Sequence, residues 1–344
     1  MLDFGEALDR STDIHANRHL LLGNGFSIAC RADCFTYGRL LDEADLSKLS
    51  VDGPALFASE GTTDFEEIIN SLRVAGRMAT FYESSDPDLA ARLAADADLV
   101  KAALADTLAR NHPDNVGDIE IEEYKGAREF LANFGHIFTV SYDLLLYWAL
   151  MQEMEPHFKA DDGFRQDRDE PDADWVRWDS YKPFSQNIYY LHGGLHLFEE
   201  GPTLKKLTFS RTGIALIEQI RTALDHEAYP LVITEGTSQE KFARIRHNDY
   251  LAKGLRSLAT CQGSLFIHGH SLADNDAHVF RAVGSEGRFK ALFVSLHGDV
   301  DSETNLAIRE RAAAIAAERS SGRDLAVHFY EADSAAVWDD SAPK

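Results

Sequence analysis

Four short stretches carry the residues able to do chemistry, and each begins where an apolar run stops. Gly23-Asn24-Gly25-Phe26-Ser27 follows residues 19–22, Ser141-Tyr142-Asp143 follows 136–140, His192-Gly193 follows 187–191, and Gly269-His270-Ser271-Leu272 follows 264–268. In the first, Gly23 and Gly25 permit positive φ and carry no Cβ to hold off a ligand. Ser27 suits either the cap of a helix or a donor to a phosphate oxygen. A glycine turn between a buried strand and a helix start brings backbone N–H groups close to a phosphate. The same turn also serves as an ordinary strand-to-helix connection, and this stretch alone does not separate the two. The usual dinucleotide fingerprint would need a third glycine where Ile28 stands. No GxxxxGK[ST] occurs, so a P-loop is excluded.

The elements that must position these stretches follow from periodicity. Residues 1–17 read as a short helix or arm. Strands are expected at 19–22, 136–140, 187–191, 229–234, 264–268, 291–295 and 325–330, and the flanks of Glu199-Glu200-Gly201-Pro202 read as a β-hairpin. Phe65, Ile68, Ile69 and Leu72 recur at helical spacing behind a Thr63 or Asp64 cap. From there to about residue 110 the chain reads as alanine-rich helix broken at residues 84–87, and a further helix covers 119–134. Together, residues 65–135 read as a helical insertion capping the sheet's edge. Residues 156–187 are acidic, with prolines, glycines and scattered aromatics (Trp175, Trp178, Tyr181, Phe184), which predicts an irregular loop pinned by aromatics. Strands alternating with helices imply one α/β domain over residues 1–344, with a Rossmann-like, mostly parallel sheet. In such sheets ligands bind beyond the carboxyl ends of the strands, where all four chemical stretches fall.

Composition narrows the partners. The chain has 344 residues and a net charge of −23, from 34 basic and 57 acidic side chains. That balance offers no general attraction for nucleic acid or anionic membranes, so neither is expected as a direct partner. The start, Met-Leu-Asp-Phe-Gly-Glu, has no basic region or apolar core, and no apolar run approaches the roughly 20 residues that span a bilayer. The three cysteines (Cys30, Cys34, Cys261) are odd in number and lack CxxC spacing, which fits neither a disulfide framework nor a four-cysteine zinc site. A soluble cytoplasmic protein is the expectation. His268, His270, Asp274, Asp276 and His278 are ligand types, but Leu272 stands where HxHxDH spacing needs an aspartate. No metal is expected there, and Asp274-Asn275-Asp276 reads as a helix N-cap. Residues 234–238 end another expected strand and would be placed to touch an adenosine.

Taken in order, Gly23-Asn24-Gly25-Phe26-Ser27, Thr139-Val140-Ser141-Tyr142-Asp143, Leu191-His192-Gly193 and Gly269-His270-Ser271-Leu272 resemble the motifs of the bacterial sirtuin-like (silent-information-regulator-like) NAD-binding family. The branch resembled lacks the zinc module, and its members are often described only as domains of unknown function. The resemblance spans about residues 18–300. It implies a sirtuin-like fold that takes NAD as substrate or ligand and needs no metal. The implied activity is hydrolysis of NAD to nicotinamide and ADP-ribose, as in bacterial relatives that deplete NAD in anti-phage defence. The alternative is a catalytically silent module that binds NAD or ADP-ribose. The implied cofactor-binding residues are Gly23, Asn24, Gly25, Phe26, Ser27, Gly269, His270 and Ser271. The implied catalytic residues are His192, Asp143 and Ser141. His192 would serve as general base on a ribose hydroxyl or water. Asp143 would supply charge to an oxocarbenium-like transition state or hold a ribose hydroxyl, unless it only caps the helix that follows. Ser141 stands where the family usually has an asparagine, and keeps one donor while losing the amide's reach. The implied partners are a small-molecule nucleotide and a second copy of the chain or a protein from a defence operon.

Overall fold

The computed structural model describes residues 1–82, 86–157, 159–179, 185–201, 203–234, 237–319 and 324–339. Among these, ten strands form in chain order: β1 (Arg18–Leu22), β2 (His136–Thr139), β3 (Phe164–Arg165), β4 (Trp175–Trp178), β5 (Ile188–Tyr190), β6 (Leu197–Glu200), β7 (Thr203–Leu207), β8 (Gln262–His268), β9 (Arg288–Leu296) and β10 (Ala326–Glu331). Six make one sheet in the order β10-β9-β8-β1-β2-β5, and every neighbouring pair is parallel. The sequence cause is visible in Leu20-Leu21-Leu22, Ile137-Phe138, Leu265-Phe266-Ile267 and Leu292-Phe293-Val294, all buried. Such continuous apolar runs suit strands covered on both faces rather than alternating ones. The expected Rossmann-like α/β class is therefore the one formed.

The order reverses at β1. The chain builds outward through β2 and β5, then returns to the other flank of β1 with β8, β9 and β10. The carboxyl ends of β1 and β8 thus flank a topological switch point, where loops leave in opposite directions and open a crevice. Over that edge lies the helix Phe65–Ala79, whose Asp64 cap accepts from the Glu66 N–H at 2.8 Å. Phe65, Ile68, Ile69 and Leu72 form its buried face, as their spacing predicts. It packs on the helix Leu89–Asn111, and a third helix covers Ile121–Leu131. Residues 84 and 85 of the expected break lie outside the described residues. No helix among the described residues is long and apolar enough to cross a membrane.

Two expectations are corrected. Within 156–187, β3 and β4 pair antiparallel and join β7 and β6 in a second sheet, β3-β4-β7-β6, so this stretch is not wholly irregular. Its aromatics act across elements. Trp175 lies under the Lys205 ammonium at 4.0 Å, and Trp178 meets Tyr250 edge-on at 5.6 Å. Tyr181 and Phe184 lie outside the described residues. Residues 229–234 form no strand: Val232 makes one antiparallel bridge to Gly193. Their partner is the turn at Gly193, at φ 79°, which curls away before a ladder can extend.

Candidate functional site

The glycine turn is shaped by a second loop. Gly23 N–H donates to the His268 carbonyl at 3.0 Å, and Gly25 N–H donates to the Gly269 carbonyl at 2.8 Å. A Cβ on Gly25 would lie 2.5 Å from the Gly269 Cα, and one on Gly23 would strike the Gly269 carbonyl. These glycines are required because two loops at the switch point touch backbone to backbone, and their amides are already bonded. Ser27, buried, donates its hydroxyl to Asp143 Oδ2 at 2.6 Å, and the helix cap expected of it is not formed. Asp143, one residue before the N-cap Leu144, accepts at Oδ1 the Leu145 N–H, the first of the helix Leu145–Met151, at 2.8 Å. Burial pushes the Asp143 carboxyl up, although the bonds from Ser27 and Leu145 oppose it. Phe26 is buried against Trp338 at 4.9 Å, and Asn24 donates to the Phe35 carbonyl at 3.0 Å.

Beside this turn lies a buried charged cluster that the sequence did not reveal. Lys241, fully buried in the helix Ser238–Arg246, reaches Glu66 Oε2 at 2.6 Å and Asp276 Oδ1 at 2.9 Å. Tyr142 donates to Glu66 Oε1 at 2.6 Å, and the Asn275 side chain donates to Glu66 Oε2 at 3.1 Å. Burial pulls the Lys241 ammonium down, but Glu66 and Asp276 outweigh it and hold it above its ordinary value. Burial likewise pushes the Asp276 carboxyl up. His192, His270 and Lys241 prevail and keep it well below the carboxylate range. Asp276 occupies the N-cap position of the helix Ala277–Val283, yet its side chain makes no cap bond. The expected N-cap role is corrected: the carboxylate is taken by a lysine and a histidine.

Three histidines complete the cluster. His270 Nδ1 accepts the Leu272 N–H at 2.8 Å, so its neutral ring carries the proton on Nε2, which lies 3.2 Å from Asp276 Oδ2. That bond, with burial, holds Leu272 at φ 56°, a left-handed backbone rare for a branched residue. His192 Nε2 is 2.9 Å from His278 Nε2 and 3.8 Å from Asp276 Oδ1, and His278 Nδ1 meets Ser238 Oγ at 3.2 Å. Burial lowers His192 well below its ordinary value against the pull of Asp276, so the ring is neutral at neutral pH. His192, Asp276 and His278 place ligand atoms within 4.8 Å of one another, a grouping that spacing within one stretch could not find. The Lys241 ammonium already occupies the Asp276 oxygen that faces His192. His268 turns away to Tyr330 at 2.9 Å.

A cleft of about 380 Å³ opens over this floor, within the usual range for small-molecule sites. Among the expected site residues, Asn24, Gly25, Ser141, Asp143, His192, Gly269, His270 and Ser271 line it, whereas Gly23, Phe26 and Ser27 do not. Tyr37, Asp64, Glu66, Tyr142, Asn275 and Asp276 line it as well. No lysine or arginine among the described residues does. The Ser141 hydroxyl has no hydrogen-bond partner, while its backbone N–H is held by Thr139 Oγ1 at 3.0 Å. Thr237 and Glu240 form a capping box on the helix Ser238–Arg246, and residues 235 and 236 lie outside the described residues. Among the lining residues whose place in the site spacing does not show, Asp64 and Asp276 read as helix caps and Glu66 as a first-turn acid. An acid in the first turn is ordinary helix chemistry, and only its burial marks it out.

Sheet order and cleft define a Rossmann-like α/β protein with a polar hollow at its topological switch point. Residues 20–338, from Leu20 in β1 to Trp338, match the family described as a domain of unknown function, DUF4917, and the chain belongs to that family. No curated protein matches the chain.

Proposed function

We propose that this cleft binds NAD and hydrolyses it to nicotinamide and ADP-ribose. The observation that supports the reading most is the convergence of Ser141, Asp143, His192 and Gly269-His270-Ser271, from different strand ends, around one hollow of about 380 Å³. Their order along the chain is also what resembles sirtuin-like proteins. Cleaving the nicotinamide–ribose bond builds positive charge on the sugar, which nearby carboxylates stabilise. Glu66 and Asp276 supply buried negative charge here, with one lysine between them. Water adds to the anomeric carbon, nicotinamide leaves with the electrons of the broken C–N bond, and the water's proton passes to a base. His192, held neutral by burial, is in the form that accepts one. The Ser141 hydroxyl is buried and without a partner beside the hollow, and rotation of its side chain would bring it to the ribose or the water. With no cationic side chain among the described residues of the lining, and the Gly23, Gly25 and Gly269 amides bonded within the protein, the pyrophosphate relies on Ser271. From the resemblance to sirtuin-like proteins the proposal also takes a cytoplasmic setting, a reaction without metal, and a role in anti-phage defence, alone or with a partner protein.

A second reading, a binding module without turnover, is favoured by one fact. The Gly23 and Gly25 amides and both Asp143 oxygens are engaged within the protein. Purified protein is incubated with NAD, nicotinamide release is followed by chromatography, and binding is measured by calorimetry. Hydrolysis predicts release that falls about 10²–10⁴-fold in His192→Ala with little change in NAD affinity, and that Ser141→Asn preserves or raises. Binding without release supports the second reading, and no binding defeats both.

A further inference from the structure

The opposite edge of the same sheet holds a second convergence. Three adjacent parallel strands begin there, and each start contributes one ligand type. His19 is the second residue of β1, His136 is the first of β2 in register with it, and Cys261 immediately precedes β8. Their ligand atoms lie within 4.8 Å of one another. His19 is buried, whereas His136 and Cys261 are half-buried, so the group has both a packed wall and a path to solvent.

The proton positions are readable from the bonds. His19 Nε2 lies 3.1 Å from the Gln262 carbonyl, which only accepts, so Nε2 carries the proton and the neutral ring leaves Nδ1 bare. That bare nitrogen is 3.2 Å from His136 Nδ1. Two imidazole nitrogens on one tetrahedral zinc, with Zn–N bonds of about 2.0–2.1 Å, stand roughly 3.3 Å apart. A metal-bound histidine characteristically donates its other N–H to a carboxylate or backbone carbonyl, which fixes the tautomer. His19 makes that bond, and the carbonyl belongs to the residue next to Cys261.

We propose that His19, His136 and Cys261 form a zinc site at the amino-terminal edge of the sheet, with two nitrogens, one sulfur and a fourth position open to water. Thiolate with imidazole selects zinc over the oxygen-preferring magnesium and calcium. Binding moves the His136 proton from Nδ1 to Nε2 and releases the Cys261 thiol proton to solvent. Because the ligating form of Cys261 is the thiolate, zinc competes with a proton there and affinity rises with pH. The site is independent of the cleft and of any reaction there.

Cobalt(II) and zinc(II) titrations of the full chain test this. One cobalt per chain is expected, with a sulfur-to-cobalt charge-transfer band in the near ultraviolet that zinc abolishes. Cys261→Ser removes the band and weakens zinc by more than the roughly 10–100-fold that loss of an outer partner costs. His136→Gln does the same, with circular dichroism confirming the fold, while Cys30→Ser, Cys34→Ser and His278→Ala leave the band intact. Absence of metal binding by the wild type overturns the proposal. So does a band that survives Cys261→Ser, or one that disappears with His278→Ala.

Discussion

The glycine turn after β1 and the charged cluster beside it line the same cleft and are built in opposite ways. In the turn, residues whose types suggest ligand chemistry serve the protein itself. Gly23 and Gly25 make room for another loop, and Ser27 and Asp143 satisfy each other. In the cluster, residues whose positions suggest ordinary helix chemistry are turned inward. Glu66 sits in a first turn, Asp276 at an N-cap position and Lys241 in mid-helix, yet they meet as a buried ion triad. The contrast shows that a short-range pattern reports what a backbone can do locally. Which partner a side chain takes is decided by elements far away in sequence.

The largest effect that would sharpen this contrast is expected at Lys241. Lys241→Met leaves Glu66 and Asp276 buried without their cation, a loss of about 3–5 kcal/mol. Adding Glu66→Gln and Asp276→Asn removes the uncompensated charges and should recover most of it. Urea unfolding of the single and triple variants decides the matter, and equal loss in both would show that charge pairing is not the cause.

A smaller loss is expected in the turn. Gly25→Val forces its Cβ against the Gly269 backbone and should cost about 1–3 kcal/mol. Gly38, in the helix Tyr37–Glu43, has open space around its Cα. Gly38→Ala should therefore be neutral or stabilising by up to about 1 kcal/mol. If thermal unfolding places the two variants together, contact between the loops is not what requires Gly25.

The smallest effect separates two aspartates by the sign of their pH dependence. Asp143 has its folded value raised above 3.8, so its contribution is fully present below that pH and is lost as pH rises through the folded value. Asp276 is depressed, so its contribution is present above 3.8 and is lost as pH falls through its folded value. Asp143→Asn should flatten the decline on the rising side and leave the acid limb in place. Unfolding curves across pH that show the acid limb vanishing instead would reverse the assignment.

Much of the architecture was legible because parallel strands announce themselves as unbroken apolar runs. Leu20-Leu21-Leu22 and Leu265-Phe266-Ile267 place β1 and β8 within a residue or two, and the Asp64 cap fixes the next helix. Residues 229–234 misled because their pattern is that of a strand, while their partner is a turn that offers one bridge. Residues 164–178 misled the other way. The pairing of β4 with β7 joins segments about 30 residues apart, and β4, half-buried at all four positions, gives no alternation. In the site, Ser141, His192 and His270 were legible because they fall just past strand ends at one edge of the sheet. Glu66, Lys241 and His278 were not, since burial of a polar side chain leaves no mark on the spacing of its neighbours.

The place of β1 at the centre of the sheet sets the timing of assembly. Gln262, which opens β8 and holds the His19 ring, lies 243 residues further along the chain. A ribosome adding about 5–20 residues per second takes roughly 12–50 s to cover that distance. Throughout that interval one edge of β1, with its row of leucines, has no native strand beside it. The helical segment between residues 65 and 135 emerges early and is local, so it can form while β1 waits. The strand order that opens a cleft in the finished protein also makes the nascent chain dependent on its last third, and on whatever keeps an unpaired strand from finding another.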